Sequence, residues 1–366
     1  MLLPVIGYIN LSNNRHRRNI AVIAGVVTFL VWLLAFRDRH AELAVDDSGQ
    51  LVIERSPIPT YKYVSTFRRA PDKNYENYID SQLVNLKLAS VGSKTAKAWP
   101  KFIWQTTKKV NKKYAAAVQS WNELNPEYDH RILDEKASDA FVASAFKDIP
   151  DIVHLYNTFP SSALKVDLLR YLILYLHGGV YADIDVHCRK PIGDWIKPAL
   201  WSSGTDIITG MELDEPYATD ASLARIGWYR GFGFVQYAII AKPFAKPIRT
   251  AIVRILSHAR YLSKIKKQKL LSSYSPADIY EVSGPGMWTD VIIDTLNYKR
   301  KDVSWAQFHD IAHPVKFATE GGAVVGLPTR YFGNGQRHSK AGDYNQADAC
   351  INRIATKGWL RNDWFR

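Results

Sequence analysis

Cysteine is nearly absent: Cys188 and Cys350 are the only two in 366 residues. That excludes a disulfide-stapled scaffold and the clustered Cys/His spacing of a structural zinc site. Pairing of the two in an oxidising compartment stays open, because it needs Cα atoms within about 7 Å. Acidic residues are also short, 35 against 48 lysines and arginines, which leaves a net charge of +13. Nucleic acid is the usual partner of so basic a chain. No basic helix, zinc spacing or aromatic RNA-binding signature accompanies the charge here, so no nucleic-acid partner is expected. An anionic small ligand or an acidic glycan suits it as well. No internal repeat is present.

Long uncharged runs are missing too, with one exception. Ile20 to Phe36 is seventeen residues without a charge, about 26 Å as a helix and enough for a thin bilayer. Arg15, His16, Arg17 and Arg18 precede it, and Phe36-Arg37-Asp38-Arg39 offers no small-residue cleavage site. The expectation is a type II signal anchor: residues 1–19 cytosolic, 20–36 membrane-spanning, 37–98 a lumenal stem and 99–366 the folded domain. The stem assignment rests on Pro57, Pro59 and Pro71 and on the lack of a sustained period. So short a span suits the thinner membranes of the early secretory pathway.

What is abundant is aliphatic and aromatic residue, 47% hydrophobic with 12% aromatic, ample for one large core. The chain is organised around Leu164 to Pro191. Leu168, Leu169, Leu172, Ile173 and Leu176 give a helix its apolar stripe, and Asp167 and Arg170, three apart, share one face. Gly178-Gly179 ends that helix. A short strand from Val180 then delivers Asp183 and Asp185, whose i, i+2 spacing in extended chain would turn both carboxylates toward one divalent cation.

Upstream, Lys101 to Trp104 reads as a strand closed by the polar Gln105-Thr106-Thr107. Trp104 is placed either against a nucleotide base or in the core under the sheet. Val110–Leu124 and Asp134–Phe146 read as helices around a strand at Tyr128–Leu133. Strands alternating with helices predict a mostly parallel sheet, with ligands at the strands' carboxyl ends. Downstream, Asp206–Met211 and Phe234–Lys242 read as strands, with Gln236 mid-strand. Glu212 to Arg225 reads as a polar loop. Glu281 to Leu296 carries Ser283-Gly284-Pro285-Gly286, a tight turn opening a helix whose N-terminal N–H groups attract anions.

Asp-x-x-Arg followed by GGVYADID, with Asp183 13 positions after Arg170, together with IWQ and SGPGMWTD in that order, resembles the DXD sugar transferases. The nearest resemblance is to glycosyltransferase family 32, the fungal initiation-specific α-1,6-mannosyltransferase group, whose core clostridial glucosylating toxins share. The resemblance covers most of Pro100 to Trp359. It implies a GT-A type fold, Rossmann-like, with helices flanking a mostly parallel sheet. It implies a retaining enzyme using GDP-mannose, with Mn²⁺ or Mg²⁺ on Asp183 and Asp185. Trp104, Gln105, Asp167, Arg170, Gln236, Gly284, Gly286 and Trp359 are the donor-binding positions it implies, and Asp183, Asp185 and Arg170 the catalytic ones. It further implies a mannose-containing glycan acceptor, N-glycan cores first, a Golgi membrane location with the catalytic domain lumenal, and possible partner subunits in a mannosyltransferase complex.

The resemblance frays at the carboxyl end. The family's closing histidine falls on Arg353 and its Gly-Ser-Trp on Lys357-Gly358-Trp359, leaving only the tryptophan; His338 is a candidate substitute. Two other readings stay open. One is a mannosyltransferase acting on inositolphosphoceramide, whose relatives tend to carry more hydrophobic spans than one. The other is a pseudo-transferase subunit, favoured by the lost histidine and opposed by the intact Asp167, Arg170, Asp183 and Asp185.

Overall fold

The computed structural model describes residues 41–45, 51–55, 65–91, 99–108, 111–202, 204–265, 274–300, 305–336 and 338–354. The expected anchor at 20–36 and Trp359 lie outside these. Among the described residues no helix is long and apolar enough to cross a membrane. The chain divides at Ile58–Pro59 into two units. In the first, β1 (Ala41–Val45) pairs antiparallel with β2 (Leu51–Arg55).

The second unit is a mixed α/β fold. Its strands are β3 (Phe102–Thr106), β4 (Asp129–Leu133), β5 (Gly179–Ala182), β6 (Val186–Cys188), β7 (Ile207–Asp214), β8 (Phe232–Ala241), β9 (Val315–Thr319), β10 (Gly322–Leu327) and β11 (Ile351–Arg353). Seven form one sheet in the order β4-β3-β5-β8-β7-β10-β9. β4, β3 and β5 run parallel, as do β7 and β10, while β8 and β9 run against their neighbours. Five strands therefore share one direction, and the expected mostly parallel sheet is present. All ten residues of β8 are buried, so both faces of this central strand are covered. β6 and β11 make a separate antiparallel ribbon.

Two sequence expectations change. The folded unit begins well before residue 99: Lys73–Val91 is a helix with Ile79 and Leu83 fully buried. Its Leu83 carbonyl accepts a hydrogen bond from the Tyr175 hydroxyl at 2.7 Å, and Asp80 pairs with Arg249. The stem reading of that stretch fails because its apolar positions are few, though well placed. Glu212 and Asp214 are not loop residues either. They end β7, with Glu212 buried.

The helix Ser162–His177 positions the chemistry. The Ser161 side chain caps it by accepting from the Ala163 N–H, and Gly178 ends it at φ 61°. A Cβ on Gly178 would lie 2.6 Å from the Pro243 ring, and one on Gly179 2.6 Å from the Phe102 carbonyl oxygen. The sharp return from helix to β5 therefore requires both glycines. The helix is apolar around nearly its whole circumference and buried accordingly, from Leu164 to Tyr175. Asp167 and Arg170 are the two charged groups among its buried residues.

Candidate active site

Asp183 and Asp185 follow β5 directly, at the end of the parallel β3–β5 pair. The segment is a turn, not extended strand: the Val186 N–H donates to the Asp183 carbonyl at 3.0 Å. The two carboxylates converge through that turn instead of through strand pleat. The backbone is fixed from three sides. Asp183 N–H donates to the Tyr237 carbonyl at 2.9 Å, Gln105 Nε2 donates to the Asp183 carbonyl at 3.1 Å, and Ile354 N–H donates to the Asp185 carbonyl at 2.8 Å.

Arg170 ties the helix to this turn. Its Nη1 donates to Asp167 Oδ1 at 2.7 Å and its Nη2 to Asp183 Oδ1 at 2.8 Å. The guanidinium lies 4.7 Å over the Tyr181 ring, and its buried Nε has no hydrogen-bond partner. Ser283 donates to the other oxygen of Asp167 at 2.8 Å. Burial pushes the Asp167 carboxyl up, against the pull of Arg170 and the Ser283 hydroxyl. Burial works against the charge on Arg170, but Tyr181, Asp183 and Asp167 hold its pKa well above the usual value.

A second guanidinium closes the group. Arg353, at the end of β11, sits opposite Val186 in the β6–β11 ribbon. Its Nη2 lies 3.4 Å from Asp183 Oδ2 and its Nε 3.4 Å from Asp185 Oδ2. It rests 4.7 Å over the Tyr237 ring. Despite burial, Asp185, Asp183 and Glu212 raise its pKa. Asp183 is thus held between two arginines, one on each carboxylate oxygen.

Asp183 and Asp185 offer carboxylates, but no cluster of three or more His, Cys, Asp or Glu side chains among the described residues is arranged to hold an ion. Arg353 spans both aspartates, and a guanidinium has no lone pair with which to ligate. Among the described residues, the two aspartates as arranged face a guanidinium. His338, the candidate substitute for the missing histidine, is occupied elsewhere, 3.2 Å from Glu212 and tilted against Trp228.

Other sequence-chosen residues take different parts. Trp104 is a core residue and not a base platform: 4% exposed, it donates its indole N–H to the Gly178 carbonyl at 2.9 Å and packs on Phe102 and His177. Gln105 is fully buried and acts by holding the Asp183 backbone. Gln236 is also buried, and its amide joins the Tyr171 hydroxyl to the Ser283 carbonyl. Gly284 and Gly286 pack closely on Tyr280. Their loop reaches the carboxylates through Ser283. Asp167, Arg170, Asp183 and Asp185 come together as expected. Sequence reasoning missed the bond from Ser283 to Asp167 and the ionic role of Arg353, and it read Glu212 as part of a polar loop. A charge inside the apolar run ITGMELD was the available signal for Glu212.

A buried Asp-x-x-Arg pair locked onto an Asp-x-Asp turn, at the carboxyl end of a mostly parallel sheet, is the arrangement that the resemblance to DXD sugar transferases implies. Residues 111–201 match the family described as a glycosyltransferase sugar-binding region containing a DXD motif, and this span includes all four residues. The chain is 28% identical over 316 residues to an initiation-specific alpha-1,6-mannosyltransferase of Candida albicans, covering 79% of each. It is 31% identical over 265 residues to a protein of the same name from Schizosaccharomyces pombe, covering 71% of this chain and 63% of that one. To the putative glycosyltransferase HOC1 of Saccharomyces cerevisiae it is 34% identical over 225 residues, covering 59% and 55%. The chain carries a DXD-motif glycosyltransferase sugar-binding region and is a glycosyltransferase.

Proposed function

We propose that this glycosyltransferase has a GT-A type fold and moves mannose from GDP-mannose, with retention, in α-1,6 linkage onto N-glycan cores. In this reading the Golgi membrane is its location, held there by the 20–36 segment as a type II anchor. The names of its relatives support the sugar and the linkage. The observation that carries the donor chemistry is the Asp167–Arg170–Asp183 lock, at 2.7 and 2.8 Å, at the end of β5.

In the transfer, the bond between the anomeric carbon and the diphosphate oxygen breaks, and the electron pair stays on that oxygen. The acceptor hydroxyl forms the new glycosidic bond and loses its proton. The charge growing on the leaving diphosphate needs fixed positive groups already in place. Arg170 and Arg353 are such groups, and Arg170 keeps an unused buried Nε–H. A guanidinium fork also matches phosphate geometry. The resemblance implies Mn²⁺ or Mg²⁺ as well, which Asp183 and Asp185 would hold and which would add positive charge beside the diphosphate; in the structure Arg353 spans the two aspartates.

Purified full chain mixed with GDP-mannose or UDP-sugars and a mannose-containing acceptor tests the reading through nucleotide release. Release from GDP-mannose supports it. Release from a UDP-sugar alone overturns the sugar assignment, and transfer only to a ceramide-linked acceptor overturns the N-glycan. Release from no donor, with or without Mn²⁺, removes the catalytic reading.

A further inference from the structure

We propose that Glu212, His338 and Trp228 form the subsite for the acceptor sugar: Glu212 orients the His338 ring, whose Nδ1 accepts a hydrogen bond from an acceptor hydroxyl, while the Trp228 indole packs on the sugar. The inference rests on the glycosyltransferase reading of the neighbouring aspartates and adds where the second substrate is held.

Place comes first. β5 and β7 both run against β8, so they end at the same edge of the sheet, one leading into Asp183 and the other carrying Glu212. Glu212 sits at an irregularity there. Met211 pairs with Phe234 and Leu213 with Gly233, which leaves Glu212 as an extra residue without a partner in β8. Such bulges re-aim a side chain and are frequent beside active sites. Trp228 lies just before β8 and packs on the same spot: a Cβ on Gly233 would meet the indole at 3.2 Å.

The carboxylate–imidazole pair is the second observation. The Glu212 side chain is 4% exposed, and its Oε1 lies 3.2 Å from His338 Nε2. Among the described residues neither side chain has another hydrogen-bond partner. A buried carboxylate with a single contact fixes that contact's proton: Nε2 carries the N–H, and Nδ1 keeps a lone pair. His338 is the outer member of the pair at 21% exposed, so a hydroxyl arriving from solvent meets the imidazole before the carboxylate. Trp228 lies against that ring, centroid to centroid at 5.0 Å. Tyr229, 42% exposed, extends the aromatic surface. Aromatic walls with a few placed polar groups suit a ligand that has C–H faces and a rim of hydroxyls.

Both flanks lead to the aspartates. Trp228 meets Tyr280 edge-on at 5.8 Å, and Tyr280 packs closely on Gly284 and Gly286, whose neighbour Ser283 donates to Asp167. On the other flank, the loop carrying His338 is closed by the Gly335 N–H donating to the Gly342 carbonyl at 3.0 Å and by the Lys340–Glu215 ion pair at 2.6 Å. Gln336 of this loop donates to the Tyr237 hydroxyl, and Arg353, bonded to Asp183 and Asp185, rests on the Tyr237 ring. Burial, then the Glu212 charge, raises the Tyr237 pKa well above its usual value, which shows how near Glu212 stands. The subsite therefore adjoins the aspartates along one edge of the sheet.

The test uses purified full chain with GDP-mannose, or the UDP-sugar it turns over, and mannobiose as acceptor, with nucleotide binding by calorimetry and thermal melts beside the kinetics. In His338→Ala and Trp228→Ala the KM for mannobiose should rise about tenfold, the loss of one contact, while the nucleotide dissociation constant stays within about threefold of wild type. Glu212→Leu should raise the same KM. Combined with His338→Ala it should add nothing further, because the carboxylate acts through the ring. A mannobiose KM within about threefold of wild type in whichever of His338→Ala and Trp228→Ala folds overturns the inference. So does nucleotide binding that weakens in step with the KM, which marks these as donor-site or packing residues. Donor turnover by wild type with transfer to water and to no mannoside overturns it while leaving the glycosyltransferase reading standing. No nucleotide binding and no turnover by wild type removes that reading, and the inference with it.

Discussion

Arg230 and Arg353 each face two carboxylates, yet they do different things. Arg230 is 1% exposed, and all three of its guanidinium nitrogens donate, to Glu281, Asp290 and the Gly286 carbonyl. Its Nη1 lies 2.6 Å from Asp290. It joins the end of the Pro276–Val282 helix to the first turns of the Pro285–Arg300 helix, and nothing remains over for a ligand. Arg353 meets its aspartates at 3.4 Å from the more open side, and neighbouring Arg170 keeps a buried Nε without a partner. A buried ion pair is weak evidence of function. A buried donor without a partner beside a carboxylate cluster, as at Arg170 Nε, is better evidence, because polar groups rarely go unpaired without a reason.

The comparison can be broken by mutation. Arg230→Ala leaves Glu281 and Asp290 uncompensated and should lower unfolding free energy by about 3–5 kcal/mol in denaturant titration. A variant with wild-type stability but no nucleotide release would show that Arg230 belongs to the site. Arg170→Lys keeps the charge and loses the fork between Asp167 and Asp183. Nucleotide release should fall about 10²-fold, near 3 kcal/mol, with a much smaller change in stability. A rate within threefold of wild type would reduce Arg170 to a structural staple like Arg230.

The structural half of the comparison should also carry the acid sensitivity. His258 hydrogen-bonds through Nδ1 to the Glu281 carbonyl at 3.0 Å and stacks on Phe67. Burial, then Arg254 and Arg68, bring its pKa down from 6.5 to about 3. The unfolded chain takes up a proton near pH 6.5 that the folded chain refuses. Stability from this group is complete above pH 6.5 and is lost as pH falls from there toward 3, by up to about 1.4 kcal/mol per unit. Denaturant titrations at pH 7.5 and 5.5 should show a larger loss in wild type than in His258→Gln; parallel losses would refute the assignment. The smallest effect is expected for Ser283→Ala. It removes the hydroxyl from Asp167 Oδ2 and should cost about 1 kcal/mol, read as a shift in melting temperature. A shift no larger than that of a surface alanine substitution would argue against the link.

The legible parts of this chain were those fixed by local pattern. The helix face carrying Asp167 and Arg170, the glycine pair that ends it and the short strand that follows come from periodicity and backbone sterics, and they appear as read. Residues whose role depends on distant partners were not legible. Trp104 could stack or pack until Gly178 was seen to take its N–H. Residues 73–91 lack a strong apolar stripe, so their docking on the Tyr175 and Arg249 helices is a tertiary event. Arg353 looked like a lost histidine, since sequence position alone cannot show a guanidinium seated across two aspartates 168 and 170 residues away.

The most direct measurement of the central claim is nucleotide release from GDP-mannose by full chain, wild type beside Asp183→Asn, with a melt to confirm that the variant folds. The account predicts release by wild type and a loss of about 10²-fold or more in the variant. Equal rates in the two proteins would contradict it.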